Sequence, residues 1–196
     1  NAAAADLGLY YQNKLNIDLP SEYAFGLQIS NLGTKISYSD NMESSFLPAN
    51  LRLGGRYTMD FDQFNNLSLM VDLNKLLVPT PPVYNEDGSI YAGMDPNVGI
   101  LQGAIQSFYD APNGLKEEMQ EISLSVGAEY WYNKVLAVRA GYFYEAKNKG
   151  ARQYLTVGAG LRYNVMGLDI SYLISTSALS NNPLKNTLRI ALTFDL

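Results

Sequence analysis

The side chains that could do acid–base work are few. The sequence has no histidine and no cysteine. That excludes disulfides and thiol nucleophiles, together with the commonest general base and transition-metal ligand. What remains is a set of carboxylates and arginines in hairpin-like spacings. Setting Tyr130 opposite Val138 brings Glu129 opposite Arg139, and setting Leu161 opposite Ile170 brings Arg162 opposite Asp169. Setting Tyr57 opposite Val71 brings Arg56 opposite Asp72. Such pairs contribute little on a solvated face. In a narrow interior they satisfy charges that are otherwise costly. Neither Glu129 nor Asp169 has a nucleophile or base beside it in sequence. The pairs therefore read as structural, and no catalytic, cofactor or metal residue is assigned.

The elements that must carry these pairs are strands. In 153–176, Leu155, Val157, Ala159, Leu161 and Tyr163 alternate with Thr156, Gly158, Gly160, Arg162 and Asn164. After a turn, Leu168, Ile170, Tyr172 and Ile174 alternate with Asp169, Ser171 and Ser175. Period two defines a strand with one apolar and one polar face. The pattern predicts nine strands, at about 3–12, 22–38, 50–60, 66–77, 121–132, 135–146, 152–164, 167–176 and 187–196. Most are near ten residues, about what a tilted strand needs to cross a bilayer. The second strand changes phase at "SNLG" (30–33), where a bulge would shift the register.

Composition points the same way. The chain has 196 residues, 15 Tyr, 16 Gly and only 17% charged residues. Its mean hydropathy is −0.11, and no apolar run approaches the roughly 20 residues of a membrane helix. A β-barrel escapes such a test, because only alternate residues face lipid. The net charge of −5 disfavours nucleic acid. "YNKV", "NVMG" and "FDQFNN" are short connections, whereas 39–50, 78–120 and 177–186 are long. Short turns on one side and long loops on the other suit an outer-membrane barrel. Tyr11, Tyr23, Phe25, Tyr57, Tyr130, Tyr132, Tyr163 and Phe194 fall at short-turn ends, and Tyr38, Tyr142, Tyr144 and Tyr172 at the others, as in interfacial aromatic girdles. The competing reading is a soluble β-sandwich with tyrosines around its core. The polar faces, mainly Gly, Ser and Thr rather than Lys and Glu, disfavour it.

The segment 78–120 has its own pattern. "VPTPPVY" (78–84) disfavours ladder pairing. Val98, Leu101, Ile105 and Phe108 then recur at helical spacing, with Asn97 as a candidate cap and "APNG" (111–114) as the stop. "LKEEMQE" (115–121) reads as a polar approach to the next strand. The expectation is one short helix, with Leu101 and Ile105 turned inward as a lid. Tyr84, Tyr91 and Tyr109 would face outward, and the loop, with Phe108, is the candidate partner contact.

Four separated stretches, "ADLGLYYQ" (5–12), "GLQISNLGTKISYSD" (26–40), "FLPANLRLGGRYTMD" (46–60) and "RIALTFDL" (189–196), resemble the PorV (LptO) family. These are outer-membrane barrels of the Bacteroidetes type IX secretion system. The resemblance implies a FadL-like, antiparallel transmembrane β-barrel of fourteen strands, of which this chain would be the C-terminal part of a single barrel domain. "NAAAADLGLYYQ" reads as mid-strand, so the missing strands and any export signal are expected upstream. The implied function is non-enzymatic. Such proteins bind the C-terminal signal domain of secreted cargo and work beside the translocon barrel (SprA/Sov). They carry cargo to the PorU sortase complex for anchoring to surface lipopolysaccharide. A FadL-like transporter of hydrophobic small molecules is the alternative. A lipid A esterase is the third reading, and it would need a base other than histidine.

Overall fold

The computed structural model describes residues 2–37, 44–177 and 185–195. Tyr38, Leu196 and parts of the 39–50 and 177–186 connections lie outside the described residues. Nine long strands form one antiparallel sheet in which chain neighbours pair. They are β1 (Ala4–Leu15), β2 (Ser21–Gly33), β3 (Asn50–Asp60), β4 (Asn66–Leu76), β7 (Ile122–Tyr132), β8 (Leu136–Tyr144), β9 (Gln153–Tyr163), β10 (Met166–Ser175) and β11 (Leu188–Phe194). All nine predicted strands are present. The second is shorter than expected, ending at Gly33 instead of 38. Within it, at "SNLG", Asn31 adopts φ +56°, in the left-handed region, and its N–H donates to Asp6 Oδ1 at 2.8 Å.

Between β4 and β7 the chain makes a two-stranded hairpin and two short helices. The hairpin is β5 (Val83–Tyr84) with β6 (Ile90–Ala92), and the helices are α1 (Ile100–Gln106) and α2 (Leu115–Gln120). The hairpin escaped the sequence pattern because its strands are two and three residues long. Its turn is closed by Asp87, which accepts from Ser89 N–H at 2.9 Å and from the Ser89 hydroxyl. Those bonds hold the Asp87 carboxyl below its usual range. The helix start is Gly99 and not Asn97, whose N–H is taken by Asp95 Oδ1 at 2.8 Å in a turn of its own. The polar approach at 115–121 is a helix, α2.

The chain divides into two compact units. One comprises Asn1–Leu9, Gly26–Leu53 and Asn74–Ile122, and the other Tyr10–Phe25, Gly54–Leu73 and Ser123–Leu196. In the second, tight turns set the register. Asn133 and Lys134 both take φ near +50° (51° and 53°), and Asn164 takes 50°, the left-handed conformation that hairpins with right-handed strand twist require. The β9–β10 turn leaves only Asn164 and Val165 unpaired, so Tyr163 faces Met166 and Leu161 faces Leu168.

In both units the large apolar side chains are the exposed ones. In β9, Leu155, Val157 and Leu161 are exposed, while Gly160 between them is buried. In β8, Val138 is 55% exposed and its neighbour Ala137 is fully buried. The buried set is mostly small or polar, with Ala24, Ala49, Ser68, Lys75, Gln106, Ser107, Asp110 and Glu118 among its members; Leu77 and Leu173 are buried leucines beside them. In α1 the interior position goes to Gly103, against Phe46 and Pro79. A Cβ there would meet the Phe46 ring at 2.9 Å and Pro79 Cγ at 3.1 Å. Gly103→Val should therefore cost about 1–3 kcal/mol of loop stability by overpacking. Limited proteolysis should show faster cleavage within 78–121, with unchanged protection of β9 and β10.

Candidate functional site

Among the described residues, two networks of charged side chains stand out beyond single ion pairs. The first lies on the polar face of β7 to β10. Glu129 pairs with Arg139 directly across β7 and β8, in the register that sets Tyr130 opposite Val138. Arg139 Nε donates to Glu129 Oε2. Its Nη1 reaches Asp169 Oδ1 at 2.6 Å, and Arg162 Nη2 meets the other oxygen, Oδ2, at 2.8 Å. The result is an alternating chain, Glu129–Arg139–Asp169–Arg162. Trp131 completes it. Its indole N–H donates to Glu129 Oε1 at 2.8 Å, and the Arg139 and Arg162 guanidinium groups each lie 5.5 Å from its ring. Cation–ring attraction and ion pairing thus act on the same two arginines.

Glycine makes this chain possible. Arg139 is on β8 and Asp169 on β10, with β9 between them. Adjacent strands are about 4.8 Å apart, so a side chain must cross two spacings to reach. Opposite Asp169 the intervening residue is Gly160, and opposite Arg139 it is Gly158. A Cβ on Gly160 would sit 2.5 Å from Asp169 Oδ1 and 2.8 Å from Arg139 Nη1.

One hairpin register and one ion pair differ from the sequence expectation. Leu161 faces Leu168, not Ile170, so Arg162 is opposite Gly167 and meets Asp169 diagonally. The physical reason is the two-residue turn at Asn164–Val165, which slides the register by two and so keeps both residues on one face. Arg56 does not pair with Asp72. Its Nη2 binds Glu22 Oε1 on β2 at 2.7 Å and lies 3.5 Å from the Tyr10 hydroxyl. A strand inside a sheet has two neighbours, and a single-hairpin reading considers only one. Asp72 instead reaches over Gly54, where a Cβ would be 2.5 Å from its Oδ1.

The second arrangement lies in the other unit, under the long loop. Lys75, at the end of β4, is 6% exposed. Its ammonium binds Glu118 Oε2 at 3.1 Å and Glu121 Oε2 at 2.7 Å, and lies 5.6 Å from the Phe108 ring. Glu118 Oε1 accepts from Ala111 N–H at 2.8 Å, and Glu121 Oε1 from the Thr80 hydroxyl at 2.7 Å. Asp110 Oδ2 accepts from Thr80 N–H at 3.0 Å. Burial pushes the Asp110 carboxyl above its ordinary value against the Thr80 hydrogen bonds, and the Glu118 and Glu121 charges push the same way. Phe108 is a residue of the predicted helical stripe, whereas Lys75, Thr80, Asp110, Glu118 and Glu121 do not stand out in the sequence pattern. The available signal was Lys75 itself, a cation in phase with Leu69, Val71 and Leu73. A charge on an apolar face needs a partner, and the acidic run 117–121 supplies two.

The expected lid residues are arranged otherwise than predicted. Leu101 and Ile105 are 68% and 64% exposed. The inward face of α1 and its exit is Gly103, Gln106, Ser107 and Asp110, with Gln106 Nε2 donating to Asp95 O at 2.9 Å. A helical stripe of large apolar residues does not fix which side is covered when small and polar residues form the interior. Tyr84, Tyr91, Phe108 and Tyr109 are exposed, as are Leu115 and Met119 of α2. Among the described residues no group of three or more acidic side chains is placed to hold a metal ion.

A long antiparallel sheet with apolar residues outward and few helices is consistent with an all-β barrel fragment. No helix is long and apolar enough to cross a membrane, which says nothing of strands. The family model described as type IX secretion system protein PorV matches residues 1–83. The match covers β1 to β4, including three of the four stretches that carry the resemblance, and supports the PorV identification. That family is described as one of the type IX secretion system. No curated protein matches the chain.

Arg139 grips two carboxylates and Arg162 one. Arg139→Met should cost about 1–3 kcal/mol, because it leaves Glu129 and Asp169 half-buried without that cation. Arg162→Met should cost less. The temperature at which the protein loses its folded migration in detergent gels should fall more for Arg139→Met.

Proposed function

We propose that the chain is the C-terminal part of an outer-membrane β-barrel that serves type IX secretion without enzymatic activity. It binds the C-terminal signal domain of secreted cargo and passes it from the translocon barrel to the sortase complex that anchors cargo at the surface. The PorV match over residues 1–83 is the observation that carries this reading. The inverted sheet supports the membrane part. Exposed leucine, isoleucine and tyrosine on long strands, with ion pairs on the other face, suit lipid outside and a polar lumen inside. The loop supports the partner part. Two helices that keep Leu101, Ile105, Leu115 and Met119 exposed offer more apolar surface than a non-interacting loop usually carries. Loops on a rigid scaffold commonly bind.

The transporter alternative needs an apolar pocket opening from the lumen. The polar face of β7 to β10 holds glycines, serines and the charged chain instead. A cleft of about 390 Å³ lies at a short-turn end, beside Pro20, Asp60, Phe61, Asp62 and Lys134.

Deleting the gene should block secretion and surface attachment of signal-bearing cargo, while fatty-acid uptake and lipid A acylation persist. Cargo secretion retained in the deletion strain would overturn the reading. Leu161→Arg or Ile190→Arg should cost about 2–4 kcal/mol at mid-strand and reduce assembly into the outer membrane. Normal assembly would show that this face does not meet lipid. In the loop, Ile105→Asp should leave the barrel assembled, since Ile105 is exposed. It should reduce co-purification with translocon or cargo, as should shortening 84–94.

A further inference from the structure

The buried cluster beneath the loop has more acid than base. Asp110, Glu118 and Glu121 surround a structure whose cation is Lys75, and Asp110 is 1% exposed. The lysine is engaged by both glutamates, and each glutamate has both oxygens in hydrogen bonds or ion pairs. Asp110 is different. Its Oδ2 accepts from Thr80 N–H, but its Oδ1 is buried without a hydrogen-bond partner. The groups that face it are Thr80 from the limb leaving β4, and Glu118 and Glu121 from α2 and its exit. The buried residues of α1 and its exit, Gln106 and Ser107, bring no charge. A carboxylate there has two negative neighbours, one unpaired oxygen and little water, each of which favours the protonated acid.

The position matters because Asp110 is a stitch. Thr80 lies on the outgoing limb of the loop and Asp110 on the returning limb, just before α2. Glu118 makes the next stitch, to Ala111 N–H, and Lys75 ties α2 to the end of β4. Cost placed on Asp110 is therefore borne by the closure that holds α1 and α2 in place.

We propose that segment 77–121 is a proton-linked latch, clasped when Asp110 carries a proton and loosened when Asp110 releases it to solvent. The sign follows from linkage. The closed loop holds the proton more tightly than the open loop, in which Asp110 meets water and has an ordinary carboxyl affinity. Closure is therefore favoured at low pH, and it weakens as pH rises from the ordinary carboxyl range through the raised value. The burial-driven upward shift of Asp110 agrees in direction. The consequence would be a loop whose exposed apolar surface is held rigid in acid and becomes mobile toward alkaline pH, whatever partner it meets.

Hydrogen–deuterium exchange of the full protein in detergent micelles tests this between pH 5 and 8.5, after correction for the intrinsic chemical rate. Wild-type amides in 78–82 and 107–121 should lose protection with rising pH, by about tenfold for each tenfold ratio between closed- and open-loop proton affinity. Amides of β9 should show no such trend. Asp110→Asn keeps an acceptor for Thr80 N–H and removes the charge. It should abolish the pH trend and leave the loop better protected than wild type at pH 8. Lys75→Met should expose the loop throughout the range. A wild-type loop without a pH trend would overturn the latch, as would an unchanged trend in Asp110→Asn. An Asp110→Asn protein that failed to assemble, or opened more than wild type, would also overturn it, because the loop would then depend on the charge.

Discussion

A polypeptide that turns its leucines and tyrosines outward must put something else inside, and whatever goes there must satisfy its own polar groups. Leu161, Val138 and Ile190 are exposed, while Ala137, Gly160, Ser68 and Lys75 are buried. The usual driving force, burial of large apolar side chains, is weak in such a protein when water surrounds it. Order has to come from the ladder hydrogen bonds and from polar pairing within the interior. In lipid the same arrangement is favourable, because every backbone donor and acceptor in a paired strand is used and apolar side chains lie where they belong. The rest of the structure follows from that inversion.

The charged chain on β7 to β10 shows how the interior is satisfied. A charge on one strand finds its partner two strands away only if the strand between carries no side chain at that point. Gly158 and Gly160 provide the gap, and Arg139 uses its length to cross it. Trp131 stands opposite Ala137 in the register and offers a ring to both arginines. Glycine, arginine and tryptophan thus act as a unit, which is also why the polar faces of these strands look bland in sequence. The small residues are spaces for charges elsewhere. Arg152 repeats the logic at the β8–β9 connection, binding both oxygens of Glu145 at 2.8 and 2.7 Å. Gly150, at φ +133°, leaves room for that carboxylate.

The sheet was legible in sequence because period-two patterning is local and repeated. Leu155 to Tyr163 and Leu168 to Ile174 each identify a face without knowledge of neighbours. Apolar pairing across the 133–135 turn is enough to set Glu129 opposite Arg139. At the tighter Asn164–Val165 turn the register differs by two from the apolar pairing, yet an even slip preserves the face. What could not be read was any contact involving a second neighbour or a distant segment. Arg56 chose Glu22, 34 positions away, over Asp72. Lys75 found Glu118 and Glu121, 43 and 46 positions away. Periodicity carries no information about such partners. In α1 it misled, because apolar spacing marks a face and not its environment.

The loop extends the inversion beyond the strands. α1 and α2 keep Leu101, Ile105, Leu115 and Met119 outside and gather Gln106, Ser107, Asp110 and Glu118 within. A helix pair built like this cannot hold itself by apolar burial, so it needs stitches. Each is a carboxylate accepting a backbone N–H from another segment or binding Lys75. Carboxylates are good acceptors, but each brings charge, and one lysine balances one of three. Polar closure of an inverted loop thus creates the excess of acid that makes its stability depend on protons. An apolar interior would have avoided that dependence, but would have drawn in the residues that the loop now keeps exposed.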